Sequence, residues 1–208
     1  MSEARDPIIY AIGDIHGYAD LLDSLLEQIE WDAEDRPDRS KHAVFVGDYV
    51  DRGPNSRGVV ARVRTWRPQF PVTHLLGNHE SWMIQAHEGA DPNEWMRWGG
   101  SATLASYRGH AGALADDVAW FKTLPVSKAI ASGGTNYLFV HAGVDPARPL
   151  TAQRDEDLMW IREPFLSHEV DYGMMVVHGH TPNGTGYGEI RRNRINVSPV
   201  GLLPSTIR

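Results

Sequence analysis

Five short apolar runs in this chain end in the same kind of punctuation: a glycine nearby, and side chains that titrate or can bind cations. IIYAI (8–12) is followed by Gly13-Asp14-Ile15-His16-Gly17, and AVFV (43–46) by Gly47-Asp48-Tyr49-Val50-Asp51-Arg52-Gly53. VTHLL (72–76) runs into Gly77-Asn78-His79-Glu80, YLFV (137–140) into His141-Ala142-Gly143, and MMVV (174–177) into His178-Gly179-His180. Each run has strand length and β-type composition. In α/β sheets, ligands bind at the C-terminal ends of the strands, and glycines there let the backbone turn sharply and approach a ligand closely. Few folds can use such a pattern.

The connections narrow the choice further. Leu21, Leu22, Leu25, Leu26 and Ile29 recur with the rhythm of one buried helix face, and Val59, Val60, Val63 and Trp66 do the same in the next connection. Strand–helix–strand–helix–strand order predicts a parallel sheet in the N-terminal half. Further on, PVSKAIA, the turn SGGTN and YLFV predict a hairpin, and GYGEIRRNRINV predicts another strand pair around Arg191–Asn193. The fold expected is α/β, a four-layer α/β/β/α sandwich of two mixed sheets. Residues 81–122, which carry Trp82, Trp95 and Trp98 between Gly-Gly breaks, read as a helical insert over one end of the sheet. The whole of 1–208 reads as one domain.

Composition matters where it limits the chemistry. There are no cysteines, so disulfides, thiol catalysis and thiolate metal sites are excluded, and any metal must be held by nitrogen and oxygen. The net charge of −7 argues against duplex nucleic acid as the main partner. It leaves room for anionic substrates, because a local cluster of cations overrides a diffuse negative field. No run approaches the ~18 apolar residues of a membrane span, and the N-terminus lacks a basic segment followed by an apolar stretch. Cytoplasmic residence is the expectation, with no membrane partner and the oligomeric state left open.

Taken singly, each motif has an ordinary reading. A lone Asp-x-His in a loop is commonly a cap or a surface turn. Gly-Asn-His-Glu can start a helix, with Asn78 as the cap and Glu80 in the first turn. Asp51–Arg52 can be a local salt bridge, and His141 a satisfied, half-buried histidine. Jointly they resist that reading. Gathering three aspartates, Asn78 and several histidines would cost several kcal/mol in desolvation and repulsion unless cations were present. Cations are the economical resolution.

GDIHG, GDYVDRG, GNHE, VHAG and HGHT, in that order, resemble the binuclear (calcineurin-like) metallophosphoesterases. Within them the match is to the serine/threonine phosphoprotein phosphatase branch, which includes bacterial and phage phosphatases and diadenosine tetraphosphatases. The resemblance spans residues 8 to about 182. It implies one divalent ion held by Asp14, His16 and Asp48 and a second held by Asp48, Asn78, His141 and His180, with Asp48 bridging. Mn²⁺ is the first choice, with Fe or Zn²⁺ also suited to such ligands. It implies in-line attack on phosphorus by a hydroxide lying between the ions.

The same resemblance pairs Asp51 with His79, the carboxylate favouring the protonated imidazole, and makes His79 the general acid. Arg52 and Arg162 become phosphate-binding residues alongside Asn78. His178, His74 and His87 read as structural or solvated. The implied activity is hydrolysis of phosphomonoesters, including phosphoserine and phosphothreonine in proteins. Dinucleoside polyphosphate hydrolysis is the alternative within enzymes, and a catalytically inactive metal-binding scaffold is the alternative outside them. Partners are then a phosphorylated protein or a small phosphoester. Trp82, Trp95 and Trp98 could stack an adenine, although core filling is the commoner use of such residues. One departure stands out: the family's Asn-x-Asp-Thr-Gly strand is replaced by Asn196-Val197-Ser198-Pro199, which predicts a short or irregular sheet edge or one completed by another subunit.

Overall fold

A computed structural model of the chain describes residues 6–184 and 188–198, together with the backbone of 206–207. Strand β1 (Ile8–Ile12), helix α1 (Ala19–Asp35), β2 (Lys41–Phe45), α2 (Ser56–Thr65) and β3 (Val72–His74) alternate as expected. Helices α3 (Asn78–His87), α4 (Asn93–Trp95), α5 (Ser101–Ser106) and α6 (Ala111–Phe121) follow, with a wide turn at Met96–Gly100 joining α4 to α5. Then come β4 (Ser127–Ser132), β5 (Thr135–Val140), α7 (Asp155–Trp160), β6 (Met175–His178), β7 (Glu189–Ile190), β8 (Arg194–Asn196) and β9 (Thr206–Ile207).

Two mixed sheets result. The first has the order β3-β2-β1-β9, with β1 to β3 parallel and β9 antiparallel against β1. The second has the order β4-β5-β6-β8-β7. Its central pairs are parallel and its outer hairpins antiparallel. The β4–β5 loop is Gly133-Gly134, both at positive φ (57° and 76°), as a two-residue hairpin turn demands. The edge expected to be irregular is formed by the two-residue β9; Pro199 itself lies outside the described residues.

Alternation along the strands divides the interior into three apolar layers. Ile8, Tyr10 and Ile12 of β1 and Ala43 and Phe45 of β2 face the helices, where they meet Leu22, Leu25, Leu26 and Ile29 of α1 and Val59, Val60 and Val63 of α2. The opposite faces, Ala11 and Val44 with the neighbouring Val46 and Leu75, meet Phe139 and Val177 of the second sheet. Beyond that sheet, Leu138, Val140 and Val176 pack on Leu158 of α7 and on Phe165. The four layers are therefore those expected. Each fully buried aliphatic or aromatic side chain contributes about 1.5–3 kcal/mol, so the strand register is strongly specified. A one-residue slip would turn each layer inside out.

Candidate metal centre

The five glycine-punctuated strand ends meet along one edge of the sandwich, three from the first sheet and two from the second. The backbone there is strained. The non-glycine residues recorded at positive φ are His16 (48°), Asp48 (56°), Asp51 (74°), Arg52 (65°) and His180 (63°), a conformation that costs on the order of 1–3 kcal/mol each and persists only when its surroundings over-determine it. The loops brace one another. Ile15 and His16 donate their N–H groups to the Asp48 carbonyl, both at 2.9 Å. Gly47, at φ 107°, lies so close to Gly77 that an added Cβ would stand 2.6 Å from the Gly77 nitrogen.

Glu80 does most of the bracing. It is fully buried, and Oε2 accepts from the N–H groups of Asp48 (2.9 Å) and Gly77 (3.1 Å). Oε1 accepts from Tyr49 (2.8 Å) and Val50 (3.1 Å). Four amide donors on two oxygens require an acceptor at both positions, which a carboxylate provides and an amide does not. The sequence reading saw Glu80 only as a first-turn residue. The cap of α3 is Gly77 rather than Asn78, which leaves the Asn78 side chain to reach across the cleft.

Nitrogen and oxygen atoms able to bind a cation then converge. His141 Nδ1 lies 2.9 Å from the Val46 carbonyl oxygen and donates to it. Its Nε2 is left as an acceptor, 2.8 Å from Asn78 Oδ1 and 3.3 Å from Asp48 Oδ1. His180 Nδ1 is 3.0 Å from the same Asn78 oxygen. On the other side, His16 Nδ1 donates to the Val50 carbonyl at 2.9 Å. His16 Nε2 is buried without a hydrogen-bond partner, 3.5 Å from Asp48 Oδ2. Backbone carbonyls that hold an imidazole by one nitrogen and aim the other inward are the usual outer support of a metal ligand. Asp48 offers one oxygen to each cluster, and nitrogen and oxygen donors of this kind suit two divalent ions. Asp14 stands beside them, accepting from His180 N–H (3.1 Å) and Ser198 Oγ (2.9 Å).

Charge makes the same point. Burial, and then the Asp14 charge, push the Asp48 carboxyl well above its usual range. Burial, and then Asp48, push Glu80 up to about 8 against the four amides that favour its charged form. Burial holds His16 and His79 down to about 3 and lowers His141 and His180 as well. Asp14 alone is eased toward its charge: despite its burial, the neighbouring His141 and His16 and the bonds from His180 N–H and Ser198 lower it, while Asp48, Glu80 and the imidazoles resist ionisation. Cations reverse that for the carboxylates and leave the imidazoles neutral, as ligands must be.

Next to this floor, His79 Nδ1 donates to Asp51 Oδ2 at 2.6 Å, and Arg52 Nη2 lies 3.2 Å from His79 Nε2. Asp51 is itself held by Trp95 Nε1, at 3.0 and 2.8 Å from its two oxygens, and by Thr103 Oγ1 at 2.6 Å. The Asp51–His79 pair is present, and in the free protein burial, and then the Arg52 charge, hold the imidazole low. Trp95 follows the commoner expectation for such residues and packs in the core. It is a buried donor to Asp51 and has no face to offer a base. Arg162 is exposed at the rim, 3.3 Å from Thr181 Oγ1. His178 is fully buried and turned toward its neighbour's carbonyl, His74 stacks on Phe45 at 5.0 Å, and His87 is solvated. Thr103, Trp95 and Ser198 were missed as site residues, because nothing local in sequence marks them as neighbours of Asp51 or Asp14.

Comparison with known proteins agrees with this geometry. Serine/threonine-protein phosphatase 2 of Escherichia coli is 29% identical over 154 residues, 73% of this chain and 66% of that protein. The symmetrical bis(5'-nucleosyl)-tetraphosphatase of Acidovorax sp. is 32% identical over 139 residues, 66% of this chain but only 44% of its own length. A solved protein serine/threonine phosphatase from Saccharomyces cerevisiae shares the fold at a TM-score of 0.60 and 18% identity, covering 95% of this chain and 68% of its own. The sequence profile of calcineurin-like phosphoesterases matches residues 8–198. A chain with that match, and with histidines and carboxylates gathered at its strand ends, belongs to the calcineurin-like phosphoesterases, a family of phosphate-ester hydrolases.

Proposed function

We propose that the protein is a metal-dependent phosphatase acting on phosphomonoesters, phosphoserine and phosphothreonine in proteins among them. The observation that carries this is the division of Asp48, with Oδ1 toward His141 and Oδ2 toward His16. Asp14, His16 and Asp48 would hold one ion; Asp48, Asn78, His141 and His180 would hold the other, Mn²⁺ by preference with Fe or Zn²⁺ also fitting the donors. When bound, a pair of such ions supplies Lewis-acid activation of water and neutralises charge on the transferring phosphoryl group.

The chain's own residues do the rest. Arg52 and Arg162 bind phosphate oxygens, Arg52 with the planar fork that a lysine lacks, while Asn78 orients the ester. His79 donates Nδ1–H to Asp51, so Nε2 is the atom that carries a proton to the leaving oxygen. Arg52 now opposes that proton. A phosphate dianion that draws the guanidinium onto its own oxygens removes the opposition, so substrate binding itself arms the acid.

Dinucleoside polyphosphate hydrolysis is a second reading, supported by relatives of that name and by aromatic rings at the rim. An inactive scaffold is disfavoured because every matched ligand, His79, Asp51 and Arg52 are in place. The test is to strip the protein, reload it with Mn²⁺, and compare kcat/KM on a phosphopeptide, a dinucleoside tetraphosphate and a cyclic nucleotide. Metal-dependent turnover led by the phosphopeptide is expected. Preference for the tetraphosphate moves the assignment to the second reading, and preference for the cyclic nucleotide, or no metal-dependent turnover, overturns both.

A further inference from the structure

Three tryptophans outside the metal floor form a continuous line from His79 to solvent. The Trp82 ring, on α3, meets the His79 ring edge-on at 5.1 Å and 85°. Trp160, at the end of α7, meets Trp82 at 4.6 Å and 75°. Trp98 lies parallel to Trp82, at 6.3 Å and 11°. None of the three is fully buried, and Trp98 keeps 49% of its surface exposed. The rings come from three separate segments, yet each is tied to a residue that faces substrate. Trp82 is one helical turn from His79, Trp160 is two positions before Arg162, and Gly99, beside Trp98, accepts from the Arg52 N–H at 3.4 Å. Trp98 Nε1 donates to Glu94 Oε1 at 2.9 Å, which fixes the indole by its edge.

A core would not end a row of aromatics in a half-exposed indole. The charges near the row also limit what it can meet. Arg52 and Arg162 flank the floor, enough for one phosphoryl group. We propose that Trp82, Trp98 and Trp160 form a shelf for a planar aromatic ring carried on the leaving group, beside the nitrogen that protonates it. The proposal rests on the phosphatase reading and refines it: the preferred ester carries a ring next to a single phosphate. A nucleobase and a tyrosine phenol share that chemistry, and the shelf meets either through π-stacking.

The test uses matched pairs. AMP and ribose 5-phosphate share a primary phosphoester and differ by the base; phosphotyrosyl and phosphoseryl forms of one peptide differ by the phenol ring. With the Mn²⁺-loaded full chain, Trp98→Ala is expected to lower kcat/KM for the ring-bearing member roughly tenfold more than for its ring-free partner. Trp98→Phe, which keeps a ring, should recover most of that difference. A selective loss for AMP alone identifies a base, for the phosphotyrosyl peptide alone a phenol, and for both a general ring site. Equal losses within both pairs overturn the shelf. If the wild type hydrolyses none of the four, the phosphatase reading falls, and calorimetric binding decides the shelf separately. AMP binding tighter than ribose 5-phosphate, and weakened by Trp98→Ala, supports it. Equal binding by wild type sinks it.

Discussion

The floor and the rim of the cleft are built on opposite terms. On the floor, His16, Asp48, Asn78, His79, Glu80 and His141 are buried, and most are held from behind: the Val50 carbonyl on His16, the Val46 carbonyl on His141, Asp51 on His79 and four amides on Glu80. At the rim, Arg162 and Trp98 are exposed and tied to the described residues only by side-chain contacts: Arg162 to Thr181, and Trp98 to Glu94 and the Trp82 ring. A buried polar group must be matched by a partner or a cation, so floor residues constrain one another and few exchanges are tolerated. Rim residues face water, which satisfies them whatever they are. Under the phosphatase reading proposed above, that freedom would put the chemistry in the floor and substrate choice in the rim.

Substitutions can break this contrast or sharpen it. The largest effect is expected from Asp48→Asn. One carboxylate serves both clusters, so metal analysis should show both ions weakened together, with activity reduced by several orders of magnitude; loss of a single ion would end the bridging assignment. His79→Asn comes next. It should keep its metals yet lose about 10²–10⁴ in kcat on alkyl phosphates, and much less on esters with an activated phenolate. Equal loss on both classes would remove proton donation from His79.

A smaller effect concerns stability and pH. In the metal-free protein, burial raises Asp48 well above its usual range, Glu80 to about 8 and Asp51 to about 6. These carboxyls bind protons more tightly folded than unfolded, so their contribution is full below the unfolded values and is lost as pH rises through the folded ones. The buried histidines, held below their unfolded values, act in the opposite sense up to about pH 6.5, so thermal unfolding of the stripped protein should show Tm falling only from about pH 6.5 to about 8, and Mn²⁺ should recover most at the alkaline end. A Tm independent of pH and metal would mean the floor is not strained by its charges. Least is expected from Trp95→Phe, which keeps the ring and removes one donor to Asp51. A net hydrogen bond contributes about 0.5–1.5 kcal/mol, hence roughly a tenfold change in kcat at most, with KM nearly unaltered. A KM effect instead would place Trp95 among substrate contacts.

The candidate metal floor was legible because its residues sit in short, glycine-bracketed motifs directly after strands. Short apolar runs of β-type composition placed those strands, helical spacing placed the first two helices, and the family resemblance supplied the ligand order. Glu80 was in plain view within Gly-Asn-His-Glu, but three of its four amide partners, those of Asp48, Tyr49 and Val50, lie in a loop 30 to 32 positions earlier, which no local pattern discloses. The tryptophans show the limit most clearly. Trp82, Trp95 and Trp98 looked equivalent in sequence, yet one braces Asp51 and the other two line the cleft with Trp160, more than sixty positions away.

What the sequence by itself determined is therefore the list of chemical groups and the strand ends from which they project, because hydrophobic alternation and glycine punctuation are local properties of a chain. What only the tertiary structure decided is which acceptors face one another, which imidazole nitrogen is tied to a carbonyl, and which indole meets solvent. Those depend on how two sheets and an insert pack, and packing is set by shape and burial across the whole interior.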